Sequence, residues 1–294
     1  MKNSIFELKI TDAEYPKILK EIPHPPKLLY YRGDLDALNK QPAIAVVGTR
    51  RCSEYGKETT KKIVSGLAKA GVCIVSGMAR GIDSYAHKEA IENGALTVAV
   101  LGSPVDDEEI YPQSNVKLAH KIIESGGIVL SEYKKGEPGH PGQFPARNRI
   151  VAGLSGGTLV TEAPIKSGAM ITARLALDSN RDVYAVPGTI FSYLSAGCNK
   201  LIASGAKCVM SPEDILEDLG LNYEISIDGL KNTDNLDEAE LKILNVINKS
   251  PNAVHIDQLT RSVGLDTEKV SQAVTSLMLQ DLIKESGANS YIAL

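Results

Sequence analysis

The chain contains no tryptophan and only three phenylalanines in 294 residues. An aromatic ring set among polar residues is therefore not explained by core-building alone. No stretch approaches the roughly 18 to 20 apolar residues of a membrane-spanning helix. Residues 1–10 carry no basic segment leading into an apolar run, so a cytoplasmic protein is expected. The four cysteines, Cys52, Cys73, Cys198 and Cys208, show no CxxC spacing and have no histidine pair nearby. They are read as reduced thiols, with neither a zinc site nor a disulfide framework. The dinucleotide fingerprint GxGxxG is missing: Gly48-Thr49-Arg50 does not fit it, and no acidic residue stands about 20 positions on to hold a ribose. The Walker pattern GxxxxGK[ST] is missing too, so neither a nicotinamide cofactor nor triphosphate hydrolysis is expected. A strong charge of one sign is also lacking, with 32 Lys and Arg against 36 Asp and Glu and a net charge of −4. That balance excludes a generally basic nucleic-acid coat, but it is uneven along the chain. Residues 1–220 hold 26 basic and 25 acidic side chains, whereas residues 221–294 hold 6 and 11.

What is present is an ordinary globular composition, 43% hydrophobic and 23% charged, enough for one large α/β domain and a small satellite. Short apolar runs alternate with helical stretches from Ala43 to about Leu219. The runs 43–47, 72–76, 96–101, 128–131, 158–161, 183–186 and 206–209 are continuous rather than alternating, as strands buried on both faces should be. A helix over 55–70, with Ile63, Val64 and Leu67 on one face and Gly71 at its end, separates the first two. The expectation is an α/β parallel-sheet domain with helices on both faces over 42–220, preceded by a leader over 1–41 packed on that sheet. A polar linker over 221–235 and a winged-helix domain over 236–294 follow. The last consists of three helical segments (from about Leu241, 256–263 and 268–280) and a hairpin joined by Ser286–Ser290.

Glycine-bearing turns end the first three strands: Gly48-Thr49-Arg50-Arg51, Gly77-Met78-Ala79-Arg80-Gly81 and Gly102-Ser103. Open α/β sheets bind ligands at this edge, and such turns offer backbone N–H groups and hydroxyls to a phosphate, with arginine to neutralise it. A further segment, Gly142-Gln143-Phe144-Pro145-Ala146-Arg147-Asn148-Arg149, joins an aromatic ring to two arginines and an asparagine. Single-strand binders need this mixture, because a base stacks on the ring while cations meet phosphates. Phe144 is thus a stacking ring or, alternatively, a buried loop anchor. Arg147 and Arg149 lean opposite ways on an incipient helix, so one should face ligand and the other make a structural ion pair.

The ordered series Val47-Gly48-Thr49-Arg50, Ser76-Gly77-Met78-Ala79-Arg80-Gly81-Ile82-Asp83, Tyr111-Pro112, Phe144-Pro145-Ala146-Arg147-Asn148-Arg149, Ser167-Gly168-Ala169-Met170, Val186-Pro187-Gly188 and Gly197-Cys198-Asn199 resembles the DNA-processing A (DprA, or Smf) family over roughly residues 15–219. The resemblance implies a Rossmann-like protein that binds single-stranded DNA, forms a homodimer, and loads the RecA recombinase onto DNA taken up in natural transformation. Carried over by position, it implies DNA contacts from Arg50, Phe144, Arg147, Asn148 and Arg149. Ser76, Gly77 and Arg80 would complete the pocket, and Ser167 and Lys200 would sit near its rim. One departure is the long acidic stretch Pro104-Val105-Asp106-Asp107-Glu108-Glu109-Ile110, whose four carboxylates would repel DNA unless they point away, leaving Ser103 doubtful as part of the rim.

Two other functions compete. Gly156-Gly157-Thr158 followed by Glu162 is similar to the PGGxGTxxE motif of nucleoside monophosphate phosphoribohydrolases, though without the proline and with one residue too many before the glutamate. Glu162 is otherwise a partner for an arginine in the same pocket. Asp83 and His87, four apart, read as a structural hydrogen-bonded pair. In the winged-helix segment Lys269 is outnumbered by Asp266, Glu268 and Asp281, so a protein-contact or autoinhibitory surface is expected ahead of duplex recognition.

Overall fold

A computed structural model describes residues 4–39, 42–221, 236–250, 253–280, 282–287 and 289–293. The chain divides into two compact units, residues 1–222 and 223–294. The first begins with β1 (Phe6–Lys9), α1 (Lys17–Lys20) and β2 (Leu28–Gly33) and continues as β3 (Ala43–Val47), α2 (Glu54–Lys69), β4 (Cys73–Ser76), α3 (Ile82–Glu92) and β5 (Thr97–Leu101). Then come α4 (Val116–Glu124), β6 (Ile128–Ser131), α5 (Gln143–Gly153), β7 (Gly157–Val160), α6 (Gly168–Asp178), β8 (Asp182–Ala185), α7 (Ala196–Ala203), β9 (Lys207–Cys208) and α8 (Glu213–Asp218).

All nine strands form one sheet in the order β1-β2-β6-β5-β4-β3-β7-β8-β9. The seven from β6 to β9 are parallel. They coincide with the seven apolar runs of the sequence, and β4, β5, β6 and β7 are buried at every residue. Burying each Val, Ile or Leu on such a strand contributes about 1.5 to 3 kcal/mol. The leader does more than pack on this sheet: β2 pairs antiparallel with β6, and β1 with β2, extending it by two strands. Their half-exposed, alternating pattern is that of an antiparallel edge.

Helix α2 shows how local sequence sets the frame. The Ser53 hydroxyl accepts the N–H of Gly56 at its N-terminus. Ile63, Val64 and Leu67 are buried on one face, and Gly71 at φ +79° lets the chain turn back into β4. Chain order reverses between β3 and β7, so the crossovers before and after depart to opposite sides. The C-terminal ends of these two strands therefore border an open crevice.

The second unit contains α9 (Glu238–Lys249), β10 (Val254–His255), α10 (Ile256–Val263), α11 (Thr267–Leu279), β11 (Ile283–Glu285) and β12 (Ser290–Ala293). A capping box between Asp237 and Glu240 starts α9, and Gly264 at φ +67° ends α10. The strands form a sheet β10-β12-β11, and Ile243, Leu244, Leu259, Val270, Leu277 and Tyr291 make its core with the helices. This is a winged helix. The stretch Asn222–Asn235, expected as a linker, lies outside the described residues, as do residue 288 of the hairpin connection and Leu294.

Candidate functional site

The crevice at the β3/β7 reversal is a cleft of about 470 Å³. Its floor is the turn after β3. Gly48 is required there, because a Cβ would lie 2.4 Å from the Ile82 side chain and 2.8 Å from the Glu162 carbonyl. Next to it the Thr49 N–H donates to that carbonyl at 2.7 Å, fastening the end of β3 to the end of β7.

Arg50 projects from this turn, exposed, with no hydrogen bond or ion pair from its side chain to any described residue. Its guanidinium carbon stands 6.0 Å from the centroid of the Phe144 ring, at the edge of cation–π range. Phe144 is half-buried and packs tilted against Tyr111, centroid to centroid 5.3 Å, while Tyr111 itself is 55% exposed. The ring lies over Gly102 at the end of β5, where a Cβ would come within 2.7 Å of it. Phe144 is thus neither a fully buried anchor nor free in solvent. It is one member of a tilted aromatic pair with a cation at its side.

The two arginines of α5 part company, as residues two apart on a helix must. Arg147 is 5% exposed in the cleft wall and donates to the carbonyls of Gly77, at 2.7 Å, and Val100. Burial lowers its pKa to about 10, with the nearby Asp83 carboxylate pulling the other way, so it stays cationic at neutral pH. Asp83 accepts the N–H groups of Gly77 at 3.1 Å and Ala79 at 3.3 Å, and burial raises its pKa. Arg149 turns away from the cleft. It forms a forked pair with Glu132, both contacts 2.8 Å, and donates to the His24 carbonyl. Asn148 lines the cleft, accepting from Arg147 Nε and donating to the Gly168 carbonyl.

The remaining expected residues divide as follows. Gly77 and Ser167 line the cleft. The Ser167 hydroxyl is buried without a hydrogen-bond partner and stands at the N-terminus of α6, which no side chain caps. Ser76 does not reach the cleft: fully buried, it donates to the Val46 carbonyl at 2.6 Å and ties β4 to β3. Arg80 and Lys200 are exposed but do not line it. Residues not selected from sequence also line the cleft: Arg51, Lys166, Asp83 and Tyr193. The arginine pair of the first turn and the lysine beside Ser167 were the available signals for the first two. Nothing in the sequence marked Tyr193.

The acidic stretch is engaged outside the cleft. Asp107 binds Arg32 at 2.5 Å and His120 at 2.8 Å, Asp106 binds Lys135 at 2.7 Å, and Glu109 accepts the Gly136 N–H. None of these carboxylates lines the cleft. Ser103, likewise outside it, accepts the Tyr111 N–H at 3.1 Å and so holds up the neighbouring ring.

The enzymatic candidates are committed to structure. Glu162 is 1% exposed and accepts the Ser53 hydroxyl at 2.5 Å and the Ser53 N–H at 2.8 Å, so its partner is the start of α2 rather than an arginine. His87 and Asp83 do not bond to each other. The His87 ring meets Thr97 at 2.7 Å, and burial lowers its pKa to about 3.

Comparison with known proteins agrees with this fold. The family described as DNA recombination-mediator protein A matches residues 7–220, and the DprA winged helix domain matches residues 231–289. The DNA processing protein DprA of Streptococcus pneumoniae is 47% identical over 207 residues, 70% of this chain and 72% of that protein. The Smf protein of Escherichia coli is 42% identical over 215 residues, 72% of this chain and 57% of that protein. The crystal structure of the S. pneumoniae protein superimposes with a TM-score of 0.68 at 44% identity, covering 74% of this chain and 75% of that one. A Helicobacter pylori DNA processing protein A, whose structure was determined for its single-stranded DNA binding mode, superimposes with a TM-score of 0.65 at 33% identity, covering 74% and 98%. With its sheet domain and its winged helix both matched, the chain belongs to the DprA/Smf family.

Proposed function

We propose that this chain is a recombination mediator that binds single-stranded DNA in the cleft at the β3/β7 reversal. Bases stack on Phe144 and Tyr111, and Arg50, Arg51 and Lys166 meet the phosphates. The observation that carries the reading is Arg50, an exposed cation without an ion partner, beside a half-buried ring at the ligand-binding edge of the sheet. The single-strand binding mode studied in the H. pylori relative supports it. Family membership supports the finer proposals: a cytoplasmic homodimer that protects incoming single strands and loads RecA onto them in natural transformation.

The test is fluorescence anisotropy with labelled single-stranded and duplex oligonucleotides across a salt series. Wild type should prefer the single strand with little regard to sequence, and Arg50→Ala and Phe144→Ala should each weaken it. Wild-type affinity in both variants would refute the assigned cleft. RecA loading is read separately, as acceleration of RecA-dependent ATP hydrolysis on single strands already covered by a single-strand-binding protein. A phosphoribohydrolase would require Glu162 to face substrate. Its bonds to Ser53 oppose this, and release of free base from a nucleoside monophosphate would reinstate that reading.

A further inference from the structure

We propose that Tyr193, in the loop between β8 and α7, is a further base-stacking residue, so that the cleft grips a single strand between two aromatic walls, the Phe144–Tyr111 pair and Tyr193. The inference rests on the single-strand reading above and extends it to a residue on the other side of the chain reversal.

Phe144 lies over Gly102 at the end of β5, and Tyr193 follows β8. In the sheet these strands are four steps apart, β5-β4-β3-β7-β8, roughly 19 Å at about 4.8 Å per step. Both residues nevertheless line the same cleft, with the cations Arg50, Arg51 and Lys166 lining it too. The loop 187–195 itself carries no lysine or arginine, so it offers a base a surface and a phosphate nothing.

Tyr193 is 71% exposed, and its hydroxyl has no hydrogen-bond partner among the described residues. Its ring therefore anchors no core. The loop that presents it is held firmly. Asn199 bonds both the N–H and the carbonyl of Gly188, at 3.2 and 3.0 Å, and the Tyr55 hydroxyl donates to the Pro187 carbonyl at 2.6 Å. Successive turns close from Ser192 to Thr189 and from Ser195 to Ser192. A loop backbone already held in place loses little freedom when a base stacks on the ring it carries. Phe191, 92% exposed in the same loop, does not line the cleft and supplies an internal control.

The experiment measures anisotropy with a labelled oligothymidine and with an oligonucleotide of equal length whose central sugars are abasic. It uses wild type, Tyr193→Ala, Tyr193→Phe, Phe191→Ala and Phe144→Ala. Tyr193→Ala should weaken oligothymidine binding roughly five-fold or more, the effect of losing a stacked base. Tyr193→Phe and Phe191→Ala should bind like wild type, and the wild type and Tyr193→Ala should converge on the abasic strand. If Phe144→Ala weakens binding while Tyr193→Ala does not, the second wall is refuted and the cleft stands. A loss that persists on the abasic strand, or that accompanies a change of oligomeric state in sedimentation, also overturns it, the latter in favour of a second copy of the chain as the loop's partner. Failure of wild type to bind single strands at all removes the underlying reading instead.

Discussion

Gly102→Ala tests the Phe144 platform without touching a side chain that could meet DNA. The new Cβ would lie 2.7 Å from Phe144 Cδ1, 3.3 Å from Cε1 and 3.2 Å from Cα. Carbon atoms pack best at about 3.5 to 4.0 Å, so the ring must retreat by roughly 1 Å and the start of α5 by a few tenths. That movement disturbs a ring whose centroid is 6.0 Å from Arg50 and 5.3 Å from Tyr111. Overpacking of this kind costs about 1 to 3 kcal/mol of stability. Affinity should fall by part of the roughly 1 to 3 kcal/mol carried by a stacked base, thus by up to about a hundredfold. The assay is a double-mutant cycle: single-strand affinity of wild type, Gly102→Ala, Phe144→Ala and the double variant, with urea midpoints to confirm that each is folded. Because the tightest of these contacts is to the ring, most of the effect should vanish once Phe144 is alanine, leaving only what the 3.2 Å backbone contact causes. An equal loss in both backgrounds would show that Phe144 is not the platform.

Arg149→Ala should lower stability by about 1 to 3 kcal/mol, since it leaves the partly buried Glu132 without its forked partner, yet leave single-strand affinity unchanged; a weaker complex would return Arg149 to the site. Glu162→Gln should destabilise by a similar amount, about 1 to 3 kcal/mol, because an amide cannot accept from both the hydroxyl and the N–H of Ser53 without turning a donor towards one of them; an unchanged urea midpoint would refute that role. His87, whose pKa falls from 6.5 to about 3 on folding, takes up its proton more readily in the unfolded chain, so its contribution is whole above pH 6.5 and is lost as the pH drops towards 3. By pH 5 that loss is about 2 kcal/mol. Urea midpoints at pH 7 and pH 5 should therefore converge more closely in His87→Gln than in wild type, with Asp83 pulling the other way equally in both; identical spacing would refute the buried neutral ring. Finally, the slope of log affinity against log salt should shrink by about 0.7 for each phosphate contact removed, in Arg50→Ala and in Lys166→Ala but not in Lys200→Ala.

The parallel strands were legible because burial on both faces leaves a continuous apolar run, as in Ile128–Ser131 and Thr97–Leu101. The two leader strands were not, because they bury few side chains: Leu8 alone in β1, with Phe6 45% exposed. Arg50 and Phe144 were legible because their chemistry and motif point the same way. The residues that the structure places away from a ligand share another cause. Ser76, Arg149 and Glu162 have chemistry suited to a ligand, and each spends it on a partner distant in sequence: Val46, Glu132 and Ser53. Spacing along the chain carries no information about such contacts. Tyr193 was missed for the converse reason, since its surroundings come from a loop that folds back over the cleft from the far side of the reversal.

The charge ledger of the sheet domain, nearly neutral in sequence, says little about the field at the cleft, because the pairing is spatially sorted. Arg32 and Lys135 are consumed by Asp107 and Asp106 outside the cleft. Arg149 and Arg181 are consumed by Glu132 and Glu21. Within the cleft, Arg50, Arg51 and Lys166 have no ion pair among the described residues, and the one carboxylate in the lining, Asp83, is buried, bonded to two backbone N–H groups and set close to Arg147. A concave site with low-dielectric walls focuses such an excess. A chain of net charge −4 can therefore present a cationic groove, and the acidic stretch that looked hostile to DNA lies outside that groove, with Asp106 and Asp107 paired to Lys135 and Arg32.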